Sequence, residues 1–261
     1  MALPDVVAFV GELTEWAAAT GRVPAPHAYG ADPEQVADLL LPEGDGPHPL
    51  VLLLHGGFWR TRFTRVLMTA LAADLAARGW ATWNVEYRRT GSGGGVPQTL
   101  DDVRAAIRAL PRLNAALELS RIVVVGHSAG GQLGLCVADE PSVAAVVSLA
   151  GVCDLRSAAA EQLGEGAAVQ FIGAMPAERP DAYALADPLG LLPSGVDVLL
   201  VHGDADLRVP VSQSRRYAQA ARAAGDRCEL LELAGVDHFA LIDPRTPAWA
   251  RVAARLGALI A

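Results

Sequence analysis

The stretch IVVVGHSAGGQLGLCVA, residues 122–138, changes character at Gly126. Residues 122–125 form a short apolar run rich in valine, which predicts an interior strand, and residues 129–138 carry small and apolar side chains that predict a helix. Between the two the chain must turn sharply. Gly126, Ser128 and Gly130 stand in the pattern G-x-S-x-G. This spacing lets the backbone hold a strained turn and lets the outgoing helix pass close to the incoming strand. The Ser128 hydroxyl then projects from the apex. That is a nucleophile's position, and it has meaning only with a base and an acid nearby.

Outward from this turn, short apolar runs alternate with helical patterns. Strands are expected at residues 35–41 (an edge strand), 50–54, 81–85, 121–125, 143–149, 196–201 and 228–233. Helices are expected at 5–19, 65–78, 100–110, 212–224 and 247–260, with Pro247 tolerated in a first turn. Such alternation predicts an α/β fold with a mostly parallel sheet covered by helices on both faces. Residues 1–261 are expected to form one domain. Residues 154–190, between two strands, are too long for an ordinary crossover and predict a small cap or lid excursion. The glycine-rich TGSGGGVPQ, residues 90–98, has no lysine and reads as a surface loop rather than a phosphate loop.

Bulk properties narrow the function classes. The chain has 261 residues, 52% hydrophobic, with a formal net charge of −8. Its acidity argues against a nucleic-acid partner, because phosphate binding calls for basic patches. No apolar run approaches the roughly 18 residues a membrane span needs. The N-terminal residues have no basic leading region and carry Asp5, Glu12 and Glu15, a poor signal peptide. Cys136, Cys153 and Cys228 show no metal-ligand spacing and predict free thiols in a reducing, cytoplasmic compartment. No metal or other cofactor is expected. The oligomeric expectation is a monomer or a small homo-oligomer.

The partners that Ser128 needs lie downstream. VLLVHGDADLRVP places Asp204 and Asp206 in a loop after the 196–201 strand, and ELAGVDHFALIDP places His238 after the last strand. The order serine, acid, histidine and the location at C-terminal strand ends suit an open α/β sheet. His238 is the expected base. Either Asp204 or Asp206 can face its imidazole, with Asp154 an outside candidate and Asp237 a local cap. Upstream, HGGFW ends the 50–54 strand. Its adjacent glycines let backbone N–H groups converge on a developing oxyanion, with Gly57 the best donor, Phe58 a second candidate and Ala129 the donor after the nucleophile. His55 is expected to brace this loop by hydrogen bonding, and His127 and His202 to be structural.

These motifs together resemble the α/β-hydrolase superfamily over residues 35–260. Within it, HGGFW, GHSAGG and DHFALIDP resemble the kynurenine formamidase-like (arylformamidase-like) esterases. The family's H-G-G-x-W loop falls on His55, Gly56, Gly57 and Trp59. Its acid motif falls on His202, Gly203, Asp206, Val209 and Pro210, which favours Asp206 over Asp204. Its histidine motif falls on His238 and Phe239. No third glycine follows Gly57, unlike the related HGGG loops.

The resemblance implies Ser128–Asp206–His238 chemistry without metal on a small-molecule ester or amide. The expected activity is cleavage of short-acyl carboxylic esters or aryl formamides, N-formylkynurenine among them. A generalist carboxylesterase is the alternative, and a non-catalytic ligand-binding protein of the same fold the more distant one. For an aryl group, Phe58, Trp59, Phe171, Tyr183 and Phe239 are the candidate pocket walls, with Trp59 equally readable as core.

Overall fold

The computed structural model describes residues 3–260. Met1, Ala2 and Ala261, included in the predicted domain, lie outside the described residues. Eight strands form one sheet: β1 (Ala25–Ala28), β2 (Val36–Leu40), β3 (His48–Leu54), β4 (Ala81–Val85), β5 (Leu117–His127), β6 (Val143–Leu149), β7 (Asp197–Gly203) and β8 (Cys228–Leu233). Their order is β1-β2-β4-β3-β5-β6-β7-β8. β1 and β2 run antiparallel to their neighbours, and the strands from β4 to β8 are mutually parallel.

Parallel strands buried on both faces need apolar side chains at every position, because successive residues point to opposite sides. β3 and β5 meet this demand. Leu50, Leu52, Leu54, Ile122 and Val124 join the core on one face, and Val51, Leu53, Val123 and Val125 join the core on the other. The first face is covered by α3 (Gln98–Ala109), α4 (Ala129–Cys136) and α8 (Ser212–Ala223), through residues such as Val103, Leu133 and Tyr217. The second is covered by α2 (Thr69–Ala77) and α9 (Pro247–Leu256), through Leu71, Leu75, Trp249 and Val252. Helix α1 (Leu3–Ala19) packs outside α2, where Leu13 and Ala17 meet Ala70 and Ala73.

The predicted edge strand at 35–41 is not an edge. β1 covers it, pairing Ala25 with Leu39 and Ala28 with Val36. The predicted helix at 65–78 begins as a 3₁₀ turn, Arg65–Met68, before α2. Residues 154–190 contain α5 (Leu155–Ala160), α6 (Leu163–Ile172), α7 (Pro180–Ala186) and the start of a 3₁₀ turn, Pro188–Leu191. Much of this excursion is core: Leu155, Phe171, Ile172 and Tyr183 are buried in the same cluster as the β3 and β5 leucines and valines. Among the described residues no helix is long and apolar enough to cross a membrane.

Candidate active site

Five connections leave the C-terminal ends of β3, β5, β6, β7 and β8 and converge on one cavity of about 230 Å³. The loop after β5 is the sharp turn anticipated around Ser128. Ser128 sits at φ 56°, ψ −117°, a conformation L-residues adopt only when the surroundings impose it. Its N–H donates to Leu149 O of β6 at 2.8 Å, and its carbonyl accepts from Gly131 N at 3.0 Å. The flanking glycines are explained by close approach. A Cβ on Gly130 would lie 2.1 Å from Leu54 O and 2.6 Å from His55 O, and one on Gly126 would lie 2.1 Å from Gly130 O. Helix and strand can touch here only without side chains.

Those distances predict a large local penalty. Gly130→Ala forces backbone against backbone and is expected to cost about 3 kcal/mol or more, at or above the upper end of overpacking. Gly11 in α1 has no positive φ, and a Cβ added there would meet nothing within 4 Å, so Gly11→Ala is expected to be neutral or stabilising by up to about 1 kcal/mol. Thermal melts of the two variants check this. A Gly130→Ala melting temperature equal to wild type would contradict the packing described.

The loop after β3 carries its own strain. Gly57 has φ +118°, and Phe58 and Trp59 follow at φ 52° and 55°. A Cβ on Gly57 would meet Phe63 Cβ at 2.7 Å. Below the loop, His55 Nδ1 faces Gly56 O at 2.7 Å and its Nε2 faces Glu86 Oε1 at 2.8 Å, while its ring stacks on Tyr87 at 4.3 Å. Tyr87 donates its hydroxyl to His55 O at 2.7 Å. Glu86 is buried. Burial pushes its carboxyl up, but the hydrogen bond and charge of His55, the Arg65 N–H and Arg89 outweigh this and hold it below the usual range. His55 thus braces the loop, with Glu86 as a support that the sequence motifs did not single out. Among the described residues, no backbone carbonyl accepts from the N–H of Gly57, Phe58 or Ala129.

The acid and the histidine meet across the loops after β7 and β8. His238 Nδ1 lies 2.6 Å from Asp206 Oδ2, and both residues are buried. Asp206 Oδ1 accepts from Arg208 N at 2.7 Å and Val209 N at 2.9 Å. His202 stands behind it. Its Nε2 faces Val209 O at 2.9 Å and Asp206 Oδ2 at 3.3 Å, and its Nδ1 faces Ser214 Oγ at 2.7 Å. A carbonyl only accepts, so Nε2 carries the proton and Nδ1 accepts from Ser214. Burial pushes the Asp206 carboxyl up. Hydrogen bonds from His202, His238 and the Val209 N–H, with the charge of His238, overcome this and hold it well below the usual carboxylate range. An ionised Asp206 requires Nδ1–H on His238, which leaves the Nε2 lone pair free to take a proton.

The other carboxylates near this loop have local tasks. Asp204 Oδ1 accepts from Gly235 N at 2.6 Å. Asp237 Oδ1 accepts from Phe239 N and Ala240 N at 2.9 Å each. Asp154 caps α5 by accepting from Ser157 N and pairs with Arg216 at 2.8 Å. His127, beside Ser128, donates from Nε2 to His238 O at 3.0 Å and so ties the β8 loop to the β5 turn. Burial and the nearby His238 push its imidazole well below the usual range and keep it neutral.

Ser128 and His238 both line the cavity, together with Gly57, Phe58 and Phe239. Among the described residues Ser128 Oγ has no hydrogen-bond partner, an arrangement common before substrate binds. Three of the expected pocket aromatics are elsewhere. Trp59 stacks on Phe171 at 4.6 Å and donates Nε1 to Gln132 Oε1 at 2.9 Å, and Tyr183 donates its hydroxyl to Ala174 O at 3.2 Å. All three belong to the core instead, where Trp59 and Phe171 cover each other and the two polar atoms, Trp59 Nε1 and the Tyr183 hydroxyl, are satisfied inside the protein. The walls that sequence reasoning missed are Val6, Arg60, Arg62, Phe63, Leu67, Gly164, Glu165 and Arg208. They come from α1, the β3 loop, the excursion and the loop after β7, and no local pattern announces their convergence.

The sequence and the fold have counterparts among known proteins. The chain is 28% identical over 243 residues to Esterase LipC of Mycobacterium tuberculosis (strain ATCC 25618 / H37Rv), covering 82% of this chain and 59% of that one. It is 23% identical over 224 residues to Kynurenine formamidase of Danio rerio, covering 82% and 74%. The chain therefore spans little more than half the length of the LipC esterase it matches. Among solved structures, a bacterial heroin esterase superposes with a TM-score of 0.78 at 23% identity, covering 98% of this chain and 89% of the other. That likeness concerns the fold: the sheet order and flanking helices are those of the α/β-hydrolases. The family model BD-FAE matches residues 37–220, well over half of the sequence, and the chain belongs to the BD-FAE family.

Proposed function

We propose that this chain is a serine hydrolase of short-acyl carboxylic esters or aryl formamides. The observation that carries the reading is the shared cavity wall, which is lined both by Ser128 at its strained apex and by His238, itself held by a carboxylate. His238 Nε2 takes the Ser128 proton as Oγ attacks the substrate carbonyl, and Asp206 holds the tautomer that makes this possible. The N–H groups of Gly57 and Ala129 receive the oxyanion, with Phe58 as a further donor. His238 then protonates the departing alcohol or amine. A water attacks the acyl-enzyme, gives its proton to His238, and releases the acid with Ser128 restored.

Cavity size bears on substrate. About 230 Å³ lies below the roughly 300–1,000 Å³ of sites for drug-sized ligands. Phe58, Phe63, Leu67 and Phe239 supply apolar wall, which suits a small acyl group and an aromatic leaving group. The 154–190 excursion closes one side through Gly164 and Glu165. The similarity to an esterase and to a kynurenine formamidase supports both branches of the reading, and the small cavity favours formyl and acetyl over long chains. The free, buried cysteines support a reducing, cytoplasmic setting.

A fluorophosphonate is expected to label Ser128, and p-nitrophenyl esters from acetate to decanoate are expected to lose kcat/KM progressively with length. Each methylene is worth only about 1–3 kcal/mol in such a pocket, so the decline is graded. N-formylkynurenine in the same panel separates the branches: its turnover supports the formamidase, and its absence beside efficient acetate cleavage leaves the carboxylesterase. An optimum at long chains overturns the short-acyl reading. Failure to label Ser128 and to cleave any substrate points to a ligand-binding protein.

A further inference from the structure

The cavity is cationic at its walls although the chain is acidic overall. Arg60, Arg62 and Arg208 line it, and Glu165 is the one carboxylate among its lining residues. The protein carries a formal charge of −8, and many of its arginines are spent on ion pairs, among them Arg65 with Asp38, Arg88 with Asp102 and Arg104 with Glu140. A cleft of opposite sign to the whole molecule concentrates field lines and draws in anions.

The cavity arginines differ in their engagements. Arg60 is occupied as a tether. It donates to Gln170 Oε1 at 3.0 Å and Gly164 O at 2.8 Å and lies 3.5 Å from the exposed Glu165 carboxylate, joining the β3 loop to the excursion. Arg62 is different. It is exposed at the rim, and among the described residues no hydrogen bond or ion pair holds its guanidinium. It stands on the same loop as Gly57, and both line the one cavity that holds Ser128. Arg208 adds a further positive charge from the loop that carries Asp206.

We infer that the substrate carries a carboxylate on the part that projects from the scissile bond to the rim, and that Arg62 is the residue that selects it. This rests on the hydrolase reading above. A guanidinium presents paired N–H donors that match the two oxygens of a carboxylate, and these charge-assisted bonds are stronger than neutral ones. Placement at the rim also matters. An anion beside Ser128 would oppose the oxyanion, whereas one at Arg62 helps binding and leaves the reacting centre undisturbed.

The test uses 3-acetoxybenzoate and its neutral counterpart 3-acetoxybenzamide, each kcat/KM divided by that ester's hydroxide-catalysed rate. Wild type is expected to favour the anionic ester by roughly threefold to tenfold, since the contact is charge-assisted but exposed. The preference should reside in KM and shrink as salt rises. Arg62→Ala should bring the ratio of the two esters towards one, Arg62→Glu should invert it, and Arg62→Lys should retain part of it. Equal or weaker normalised turnover of the anionic ester by wild type overturns the inference. So does a ratio that Arg62→Ala and Arg62→Glu leave unchanged. Cleavage of the neutral ester reads the hydrolase proposal separately: if neither ester is cleaved, that proposal fails and this one falls with it.

Discussion

Ser128→Ala is expected to lower kcat by roughly 10⁴- to 10⁶-fold while leaving a folded protein. The loss is large because the proposed mechanism has no other nucleophile at the apex, and what remains is the contribution of oxyanion donors and binding. Folding should survive for a specific reason. Ser128 occupies the N-cap of α4, where replacing serine by alanine ordinarily costs about 1 kcal/mol, but its side chain makes no capping hydrogen bond here. Its backbone bonds to Leu149 and Gly131 do not involve the hydroxyl. The strain at φ 56° remains in alanine and is relieved in glycine, so Ser128→Gly should be equally inactive and melt higher than Ser128→Ala. p-Nitrophenyl acetate hydrolysis and thermal melts read both effects. A folded alanine variant with near-normal turnover would remove Ser128 from the chemistry. A glycine variant that melts lower than the alanine one would remove the strain argument.

What could be read from the sequence was local or periodic. The turn at Ser128 was legible because its demands fall within five residues: a strand end, two glycines and a helix start. The interior strands were legible because burial on both faces demands unbroken apolar runs, as β3 and β5 show. β1 was not, since APHA has a proline and no alternation, and it becomes a strand only because β2 offers an unpaired edge. The pocket walls failed for a related reason. Aromatic residues near a site motif look alike in sequence whether they face a ligand or the core. Trp59 and Phe171 satisfy each other by stacking although they lie far apart in the chain. Val6 reaches the cavity from a helix at the other end of the chain. Asp206 shows an intermediate case: its loop was legible from spacing, and the choice over Asp204 needed a motif resemblance whose physical content is the direction of two carboxylates, one towards His238 and one towards Gly235.

Asp206→Asn is expected to lose roughly 10⁴-fold in kcat, far more than Asp204→Asn or Asp154→Asn. Oδ1 of Asp206 accepts from the N–H groups of Arg208 and Val209, and this pair keeps the amide oxygen of an asparagine on that side. The amide N–H₂ then faces His238 Nδ1, which must accept, so the proton moves to Nε2 and the base is lost. The same amide also opposes the Nε2–H of His202, 3.3 Å from Oδ2 in the wild type. Asp154→Asn instead weakens a helix cap and the Arg216 pair, which is a matter of stability, and Asp204→Asn loosens an exposed turn. Two readouts tell a positioning role from a merely structural one. Nitrogen NMR of His238 should report protonated Nδ1 in wild type and protonated Nε2 in the variant. The pH dependence of stability has a definite sign: the folded carboxyl lies below its unfolded value, so its contribution is present above about pH 4 and fades as pH falls through the folded value. The stability gap between wild type and Asp206→Asn should therefore be widest near neutrality and narrow in acid. An active Asp206→Asn beside a crippled Asp204→Asn or Asp154→Asn would reassign the acid, and a His238 still protonated at Nδ1 in an inactive Asp206→Asn would break the tautomer argument.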